Sequence, residues 1–141
     1  MNRKLIALGV IPAAALAMTA GQALAGGAIS KQKAPTAAQK TAIMKAAGFK
    51  GPASCYTVQL SARTQTIAGA KFNEKAKNCT KYAFDGAALY YSTFNKKVWY
   101  QLEAGSGLDT NECNALSVLV GPAAWQDMIP YIGDMGCQNF D

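Results

Sequence analysis

Three carboxylates between residues 103 and 112 are the side chains of this sequence best suited to catalysis. Glu103, Asp109 and Glu112 stand close together in a segment that begins Gly-rich and becomes acidic. Two carboxyl groups that face each other across a sugar form the catalytic pair of most glycosidases. Acids in a loop usually only solvate it, so a hydrolase that uses these loop carboxylates is kept as an alternative interpretation.

Other catalytic chemistry has little support. The chain contains no histidine, which removes Ser-His and Cys-His nucleophile pairs. Ser106 stands between two glycines, where a turn is expected, and Asp109–Glu112 begins like a calcium loop but lacks the later ligands and the glycine. No phosphate-binding or dinucleotide-binding motif is present. We therefore predict no catalytic residue, no metal and no cofactor.

Aromatic and basic residues in the middle of the chain give a better case for a binding surface. The segment YYSTFNKKVWYQL, residues 90–102, has the pattern of a β-hairpin in which Tyr90 and Trp99 share a face. If the strand over residues 55–63 leaves its polar face to water, basic side chains lie on the same side. The predicted ligand-binding residues are Arg63, Lys71, Lys75, Lys77, Tyr90 and Trp99.

Flat rings beside cations suit a glycan, an anionic envelope polymer or an acidic patch on a protein. The alternative is that a helix covers Tyr90 and Trp99, because large aromatic side chains are usually mostly buried. In that case only a solvated stripe of lysines would remain. The exposure of the Trp99 ring decides between the two interpretations.

The four cysteines predict two disulfide bonds. Cys55, Cys79, Cys113 and Cys137 are an even set in a short chain, and the closely spaced Cys or His pairs of a zinc site are missing. Cys55 and Cys79 would flank the open end of a hairpin formed by the first two strands. The other bridge would then tie the loop after the fourth strand to the end of the last helix. We therefore predict Cys55–Cys79 and Cys113–Cys137, each stabilising the fold by roughly 3 to 4 kcal/mol.

Residues 1–25 have the organisation of a secretory signal peptide. Arg3 and Lys4 precede an apolar run over residues 5–20, and Ala23-Leu24-Ala25 is a cleavage site of the small-x-small type. The run is shorter than the roughly 20 residues of a membrane-spanning helix. We expect cleavage near Ala25, a flexible leader over residues 26–35 and a single disulfide-stabilised domain over residues 36–141. The mature protein would be extracellular or periplasmic, without a transmembrane segment.

Charge is distributed unevenly along a chain with a net charge of +6. Residues 26–73 carry basic side chains and no acid, whereas residues 100–141 carry acids and no base. The two halves are expected to meet and neutralise each other; the alternative is a basic face for an anionic polymer or a lipid head group. No nucleic-acid-binding motif accompanies the charge. The expected partner is an extracellular protein or an envelope polymer, and the oligomeric state is left open.

Local patterns predict an α+β domain. Thr36 and Gln39 form a capping box for a helix over residues 37–47, which Gly48 ends. Alternating residues predict strands over residues 55–63 and 70–77, with a turn near residues 67–69, and the hairpin supplies two more. Residues 104–114 have the composition of a loop. The predicted fold is an N-terminal helix, a four-stranded antiparallel sheet and a short C-terminal helix.

The short C-terminal helix is expected to begin at Pro122 and to end or kink at Pro130. Its predicted inner residues are Trp125, Met128 and Ile129.

In the hairpin, the predicted register pairs Tyr91 with Tyr100, and the core face is expected to hold Leu89, Tyr91, Val98, Tyr100 and Leu102.

Both helices are expected to pack on one face of the sheet, with one helix on each face as the competing arrangement. The residues expected to form the single packed face are Tyr56, Val58, Leu60, Phe72, Leu89, Tyr91 and Tyr100. The opposite face would then be open to water. This arrangement is what would leave Tyr90 and Trp99 available to a ligand.

The order of cysteines, glycines and aromatic residues also resembles a layout found in small secreted bacterial four-cysteine proteins of unknown function. The shared features are Cys55, Cys79, Asp85-Gly86, Trp99, Gly105-Ser106, Cys113, Pro122 and Cys137. The Leu-Gly expected before the last cysteine is replaced by Ile132-Gly133 and Met135-Gly136. The resemblance implies secretion and a compact disulfide-bonded domain, and it carries no activity.

Together these patterns favour a small secreted protein that binds rather than catalyses. Its function would be that of a non-enzymatic binding or inhibitor-like module. A secreted hydrolase and a structural component of the cell envelope are the alternatives.

Overall fold

An antiparallel sheet with helices on both faces forms the domain. The computed structural model describes residues 30–93 and 97–137; the predicted signal peptide lies outside these ranges. The five strands lie in sequence order, β1 (Gln32–Lys33), β2 (Tyr56–Ser61), β3 (Ile67–Phe72), β4 (Ala87–Ser92) and β5 (Trp99–Gly105). The three helices are α1 (Ala37–Ala47), α2 (Thr110–Val120) and α3 (Pro122–Asp134), and short 3₁₀ turns occupy Ala53–Cys55 and Thr80–Tyr82. The predicted α+β class is confirmed.

Helix α1 begins and ends where the sequence predicted. The Thr36 hydroxyl accepts from the Gln39 N–H at 3.2 Å, and the Gln39 side chain accepts from the Thr36 N–H at 2.9 Å, which completes the capping box. Gly48 adopts the left-handed conformation with φ 64°, as a helix-ending glycine should. The Phe49 N–H then donates to the Met44 carbonyl at 3.2 Å.

The sheet has one strand more than the predicted four. Strand β1 lies in the segment predicted as a leader and pairs with β2, Gln32 opposite Ser61 and Lys33 opposite Leu60. Two residues are too few to show an alternating pattern, so the sequence carries no strand signal there. The turn between β2 and β3 occupies residues 62–66, earlier than predicted.

There is also one helix more than predicted. Helix α2 begins at Thr110, within the segment 104–114 that was expected to form a loop, and it buries Cys113, Leu116 and Val120. Helix α3 continues through Pro130 to Asp134, so of the two predicted effects of Pro130, an end or a kink, the end is wrong. On α3, Trp125 and Met128 are buried as predicted, but Ile129 is exposed.

The helices cover both faces of the sheet, so the preferred prediction of one covered face was wrong and the competing arrangement is correct. Helix α1 packs on the face that holds Val58, Leu60 and Tyr90. Helices α2 and α3 pack on the opposite face, which holds Ile67 and Leu89. The register explains the error. Leu60 pairs with Ala68 and Ala68 with Tyr90, so these residues share a face that excludes Leu89.

The hairpin of β4 and β5 has the predicted pairing near its turn, and Leu89 is buried as predicted, but the rest of the predicted core face is partly or largely exposed. Tyr91 lies opposite Tyr100, as predicted. A bulge between Leu89 and Tyr90 then shifts the register by one residue, so Leu89 lies opposite Glu103. Trp99 is only 4% exposed, whereas Tyr91 is 39% exposed. Val98 and Tyr100 are also exposed and Leu102 is half-buried. Helix α1 covers the Tyr90–Trp99 face, which was expected to be open.

Both predicted disulfides are confirmed. Cys55–Cys79 has a Cα–Cα distance of 5.4 Å and Cys113–Cys137 one of 5.6 Å. The first bridge joins the start of β2 to the loop that follows β3, and the second joins α2 to the segment that follows α3. Among the described cysteines none is free.

Candidate functional site

A polar cleft opens at the end of the sheet where β2 begins, β3 ends and β4 begins. Its volume is about 580 Å³, within the roughly 300 to 1,000 Å³ typical of small-molecule sites. The end of α3 forms one side of it. The lining residues are Thr57, Lys71, Phe72, Asn73, Glu74, Lys75, Phe84, Asp85, Gly86 and Asp134.

The loop after β3 forms the first wall and is fixed in several places. The Asn73 N–H donates to the Cys55 carbonyl at 2.9 Å, and the Asn73 side chain donates to the Ser54 carbonyl at 3.1 Å. The Asn73 side chain also accepts from the Lys75 N–H at 3.2 Å, forming an Asx turn. The Cys55–Cys79 bridge holds the far end of the loop. Glu74 and Lys75 are therefore exposed side chains on a constrained backbone.

The segment before β4 forms the second wall. The ring of Phe84 stacks on Phe49 with a centroid distance of 5.1 Å. Asp85 accepts a hydrogen bond from the Ser106 hydroxyl at 2.7 Å. Gly86 has φ 80°, and a Cβ atom at this position would overlap the carbonyl group of Gly105. Only glycine therefore allows the chain to enter β4 this close to the end of β5.

Helix α3 supplies the third wall through an ion pair. The Lys71 ammonium lies 2.7 Å from the Asp134 carboxylate and 5.5 Å from the centroid of the Tyr131 ring. Both charged side chains are partly exposed, so the pair contributes only about 0 to 1 kcal/mol to stability. Its main effect is to hold both side chains at the rim of the cleft.

The six predicted ligand-binding residues do not form one surface. Lys71 and Lys75 line the cleft, whereas Lys77 is exposed outside the lining. Tyr90 is buried beneath α1 together with Trp99, so the prediction that these two rings form a binding face is wrong. Strand pairing is the physical reason, because Ala70 shares the face of Tyr90 and the adjacent Lys71 points to the opposite side.

Arg63, the sixth predicted residue, binds a buried carboxylate that the sequence analysis missed. Asp127 is fully buried, and its two oxygens accept from the Arg63 guanidinium at 2.8 Å, the Arg63 N–H at 3.0 Å, the Lys31 N–H at 3.0 Å and the Ser61 hydroxyl at 2.8 Å. Burial by itself would raise the pKa of Asp127, but these hydrogen bonds and the Arg63 charge together lower it. Asp127 thus joins α3 to β1 and to the turn after β2.

The three carboxylates considered for hydrolysis accept hydrogen bonds from nearby backbone N–H groups. Asp109 accepts from the Glu112 N–H at 2.9 Å and Glu112 accepts from the Asp109 N–H at 2.8 Å. This is the capping box that starts α2. Glu103 accepts from the N–H of its neighbour Ala104 at 3.0 Å. A capping-box search over residues 109–112 would have found α2 from the sequence.

The acids that do line the cleft were not predicted as a group. Glu74, Asp85 and Asp134 come from three segments far apart in the sequence, and no local spacing relates them. Over residues 30–93 and 97–137, no three His, Cys, Asp or Glu side chains are grouped so that they could hold a metal ion. Within the same ranges, every helix is too short or too polar to cross a membrane.

Comparison with known proteins gives no relative for this chain. No family model, no curated protein and no solved structure matches it. The resemblance to small secreted bacterial four-cysteine proteins therefore stays a prediction, and function has to be argued from the cleft itself.

Proposed function

We propose that this protein is a secreted, non-enzymatic glycan-binding module whose ligand occupies the cleft between Lys71, Lys75 and Phe84. One observation carries the proposal: the cleft combines hydrogen-bond donors, hydrogen-bond acceptors and an aromatic ring on a constrained backbone. The signal-like residues 1–25 and the two disulfides support secretion, because disulfides persist in oxidising compartments.

The mixture of charges favours a neutral polar ligand. Two lysines and three carboxylates line the cleft, so its own charge is slightly negative. An anionic envelope polymer or an acidic protein patch would be repelled by Glu74, Asp85 and Asp134. Each sugar hydroxyl both donates and accepts, and the cleft offers lysine donors, carboxylate acceptors and the Asn73 amide for it.

The constrained walls also support binding. Asn73 is held through backbone and side-chain hydrogen bonds, and Phe84 is stacked on Phe49. Side chains that are already ordered lose little conformational entropy when a ligand arrives, so more of the interaction energy appears as affinity. A ring at the side of such a cleft gives the apolar face of a sugar a surface to pack on.

A substitution in the loop after β3 tests the proposal. Lys75→Ala should lower the affinity for a cleft-bound glycan by about tenfold, the equivalent of about 1.4 kcal/mol. Lys77→Ala is the matched control, because Lys77 is exposed on the same loop but lies outside the lining. Binding would be measured first on an array of envelope glycans and then by titration calorimetry with the best ligand.

The salt dependence of binding separates the competing ligands. A neutral glycan should bind equally well at low and high ionic strength, whereas binding of an anionic polymer should weaken as salt screens the lysines. Loss of binding in both lysine variants together with strong salt dependence would indicate an anionic ligand and overturn the proposal. Absence of binding to any glycan would overturn it as well.

A further inference from the structure

A second cavity lies at the end of the sheet opposite the cleft, where β3 begins and β4 ends. Its volume is about 390 Å³, which is also within the range typical of small-molecule sites. The turn before β3, the last turn of α2 and the hairpin of β4 and β5 surround it. The lining residues are Thr64, Thr66, Ile67, Tyr91, Ser92, Leu102, Leu119 and Val120.

The walls of this cavity are mostly apolar, and none of the lining residues is charged. Ile67 and Val120 belong to the buried core, whereas Leu119 is 63% exposed. Tyr91 stacks on the exposed ring of Tyr100 with a centroid distance of 5.2 Å, which extends the apolar surface beyond the cavity. An apolar surface that is concave and open to water is typical of a ligand-binding groove.

The hydroxyl groups of the cavity are grouped on one side of it. Thr64 and Thr66 lie in the turn before β3, and the Ser92 N–H donates to the Thr66 carbonyl at 2.8 Å. The Thr64 hydroxyl is buried and has no hydrogen-bond partner among the described residues, which costs free energy unless another group supplies the bond. Helix α2 and strand β5 supply only apolar side chains. The cavity therefore suits a molecule with an apolar body and one polar end.

Lys33 brings a positive charge to the turn before β3. Its ammonium group donates to the Gln65 side chain at 3.5 Å, and Gln65 stands between the two threonines that line the cavity. Arg63, which precedes these residues, is neutralised by its ion pair with the buried Asp127. The charge that this turn adds to the cavity is therefore that of Lys33.

Lys97 brings a second positive charge to the same end of the sheet. It is exposed and precedes Val98, whose carbonyl accepts from the Ser92 hydroxyl at 2.7 Å. Glu103 is the acid closest in sequence to the lining residues. It lies opposite Leu89, on the side of the cavity away from the hairpin turn. The polar side of the cavity is thus flanked by lysines, which favours an anionic group there.

We propose that this cavity binds a medium-chain fatty acid, with the carboxylate beside the turns that Lys33 and Lys97 flank. The alkyl chain packs against the apolar side chains of Leu102, Leu119 and Val120. A volume of about 390 Å³ holds about a dozen groups of methylene size, at the roughly 30 Å³ that one water molecule occupies in the liquid. The site lies at the other end of the sheet from the cleft, so it is independent of glycan binding.

Displacement of a fluorescent apolar probe, N-phenylnaphthylamine, from the purified protein measures the binding of fatty acids. The affinity should rise about fourfold for each added methylene group until the chain fills the cavity, and then level off. Decanoate should bind more tightly than decanol, and decyltrimethylammonium should bind least, because lysines flank the polar side. Failure of every chain length to displace the probe would overturn the proposal, and so would a preference for the cationic amphiphile.

Two neighbouring substitutions on α2 test the location of the site. Leu119→Asp should lower the affinity for decanoate at least about tenfold, because it places a carboxylate in the apolar wall. Val118→Asp is the matched control, since Val118 is 82% exposed and lies outside the lining. Both positions are exposed on the helix surface, and thermal unfolding checks that both variants fold. An equal loss of affinity in the two variants would overturn the proposal.

Removal of the two lysines tests the position of the carboxylate. Lys33→Gln combined with Lys97→Gln should weaken decanoate binding about fivefold to tenfold and leave decanol binding unchanged. Lys75→Gln combined with Lys77→Gln removes the same charge at the other end of the sheet and should change neither. Equal weakening in both double variants would overturn the proposal. Binding to vesicles of anionic lipid without any binding of monomeric decanoate would assign the apolar surface to a membrane and overturn it too.

Discussion

The ring of Tyr131 on helix α3 lies directly against Gly69 at the centre of strand β3. A Cβ atom at position 69 would lie 2.6 Å from Cδ2 of this ring, closer than real carbon atoms approach. The absence of a side chain at Gly69 thus lets α3 settle close to the sheet. Asp134, one turn after Tyr131, is thereby brought to Lys71 at the rim of the cleft.

Gly69→Ala should destabilise the protein by about 1 to 3 kcal/mol, because the added methyl group forces the buried ring to move. Gly133→Ala is the matched control, since nothing lies within 4 Å of a Cβ atom at that helical position. That change should be neutral or stabilising by up to about 1 kcal/mol. Urea unfolding of both variants measures the difference. Equal stability of the two variants would show that the Gly69–Tyr131 contact does not constrain the packing.

Trp99→Ala should lower the free energy of unfolding by about 3 to 5 kcal/mol, because it empties a large volume beneath α1. Tyr100→Ala, the neighbouring change on the opposite face, should have a much smaller effect of about 0.5 kcal/mol, since Tyr100 is 46% exposed. Thermal unfolding followed by circular dichroism compares the two. A larger loss of stability in Tyr100→Ala than in Trp99→Ala would mean that Tyr100, and not Trp99, is on the buried face of the hairpin.

Asp127→Asn should destabilise the protein by about 3 kcal/mol at neutral pH. Both carboxylate oxygens accept hydrogen bonds, and an amide would turn an N–H group towards one set of donors. The Arg63 guanidinium would also lose its charged partner. Urea unfolding at neutral pH measures the loss.

The effect of Asp127→Asn should depend on pH in a defined direction. The pKa of Asp127 is lowered in the fold despite burial, which by itself would raise it. The stabilisation is therefore fully present above the unfolded pKa of about 3.9 and is lost as pH falls through the lower folded value. The stability gap between wild type and variant should accordingly narrow below about pH 4. If the difference in unfolding free energy between wild type and variant stays constant below about pH 4, the charge of Asp127 does not contribute to stability.

Features with a local cause were predictable from the sequence. The capping box at Thr36 and Gln39 and the glycine that ends α1 follow from residue types at short spacing, and the two disulfides follow from a hairpin whose open end Cys55 and Cys79 flank. The pairing of Tyr91 with Tyr100 was predictable for the same reason, because a short hairpin turn fixes its own register.

Features that depend on packing between distant segments were not predictable. Which face of the hairpin is buried depends on where α1 docks, and the alternation of residues 90–102 fits either face. Asp127 lies within an apolar helix, and no nearby residue in the sequence indicates that the Arg63 guanidinium and the Lys31 N–H donate hydrogen bonds to it. The cleft is formed by segments that only the fold brings together, so the sequence placed Lys71 and Lys75 beside Tyr90 and Trp99, whereas the structure places them at the cleft and the two rings beneath α1.

Chemical-shift mapping of the backbone amides during titration with a bound glycan tests the central claim most directly. Perturbations should concentrate at residues 71–75 and 84–86 and at Asp134, the residues that surround the cleft. Lys77 should shift little, and so should residues 98–102 at the sheet edge. Perturbations confined to that edge, or spread over exposed lysines across the surface, would contradict the assignment of the cleft as the binding site.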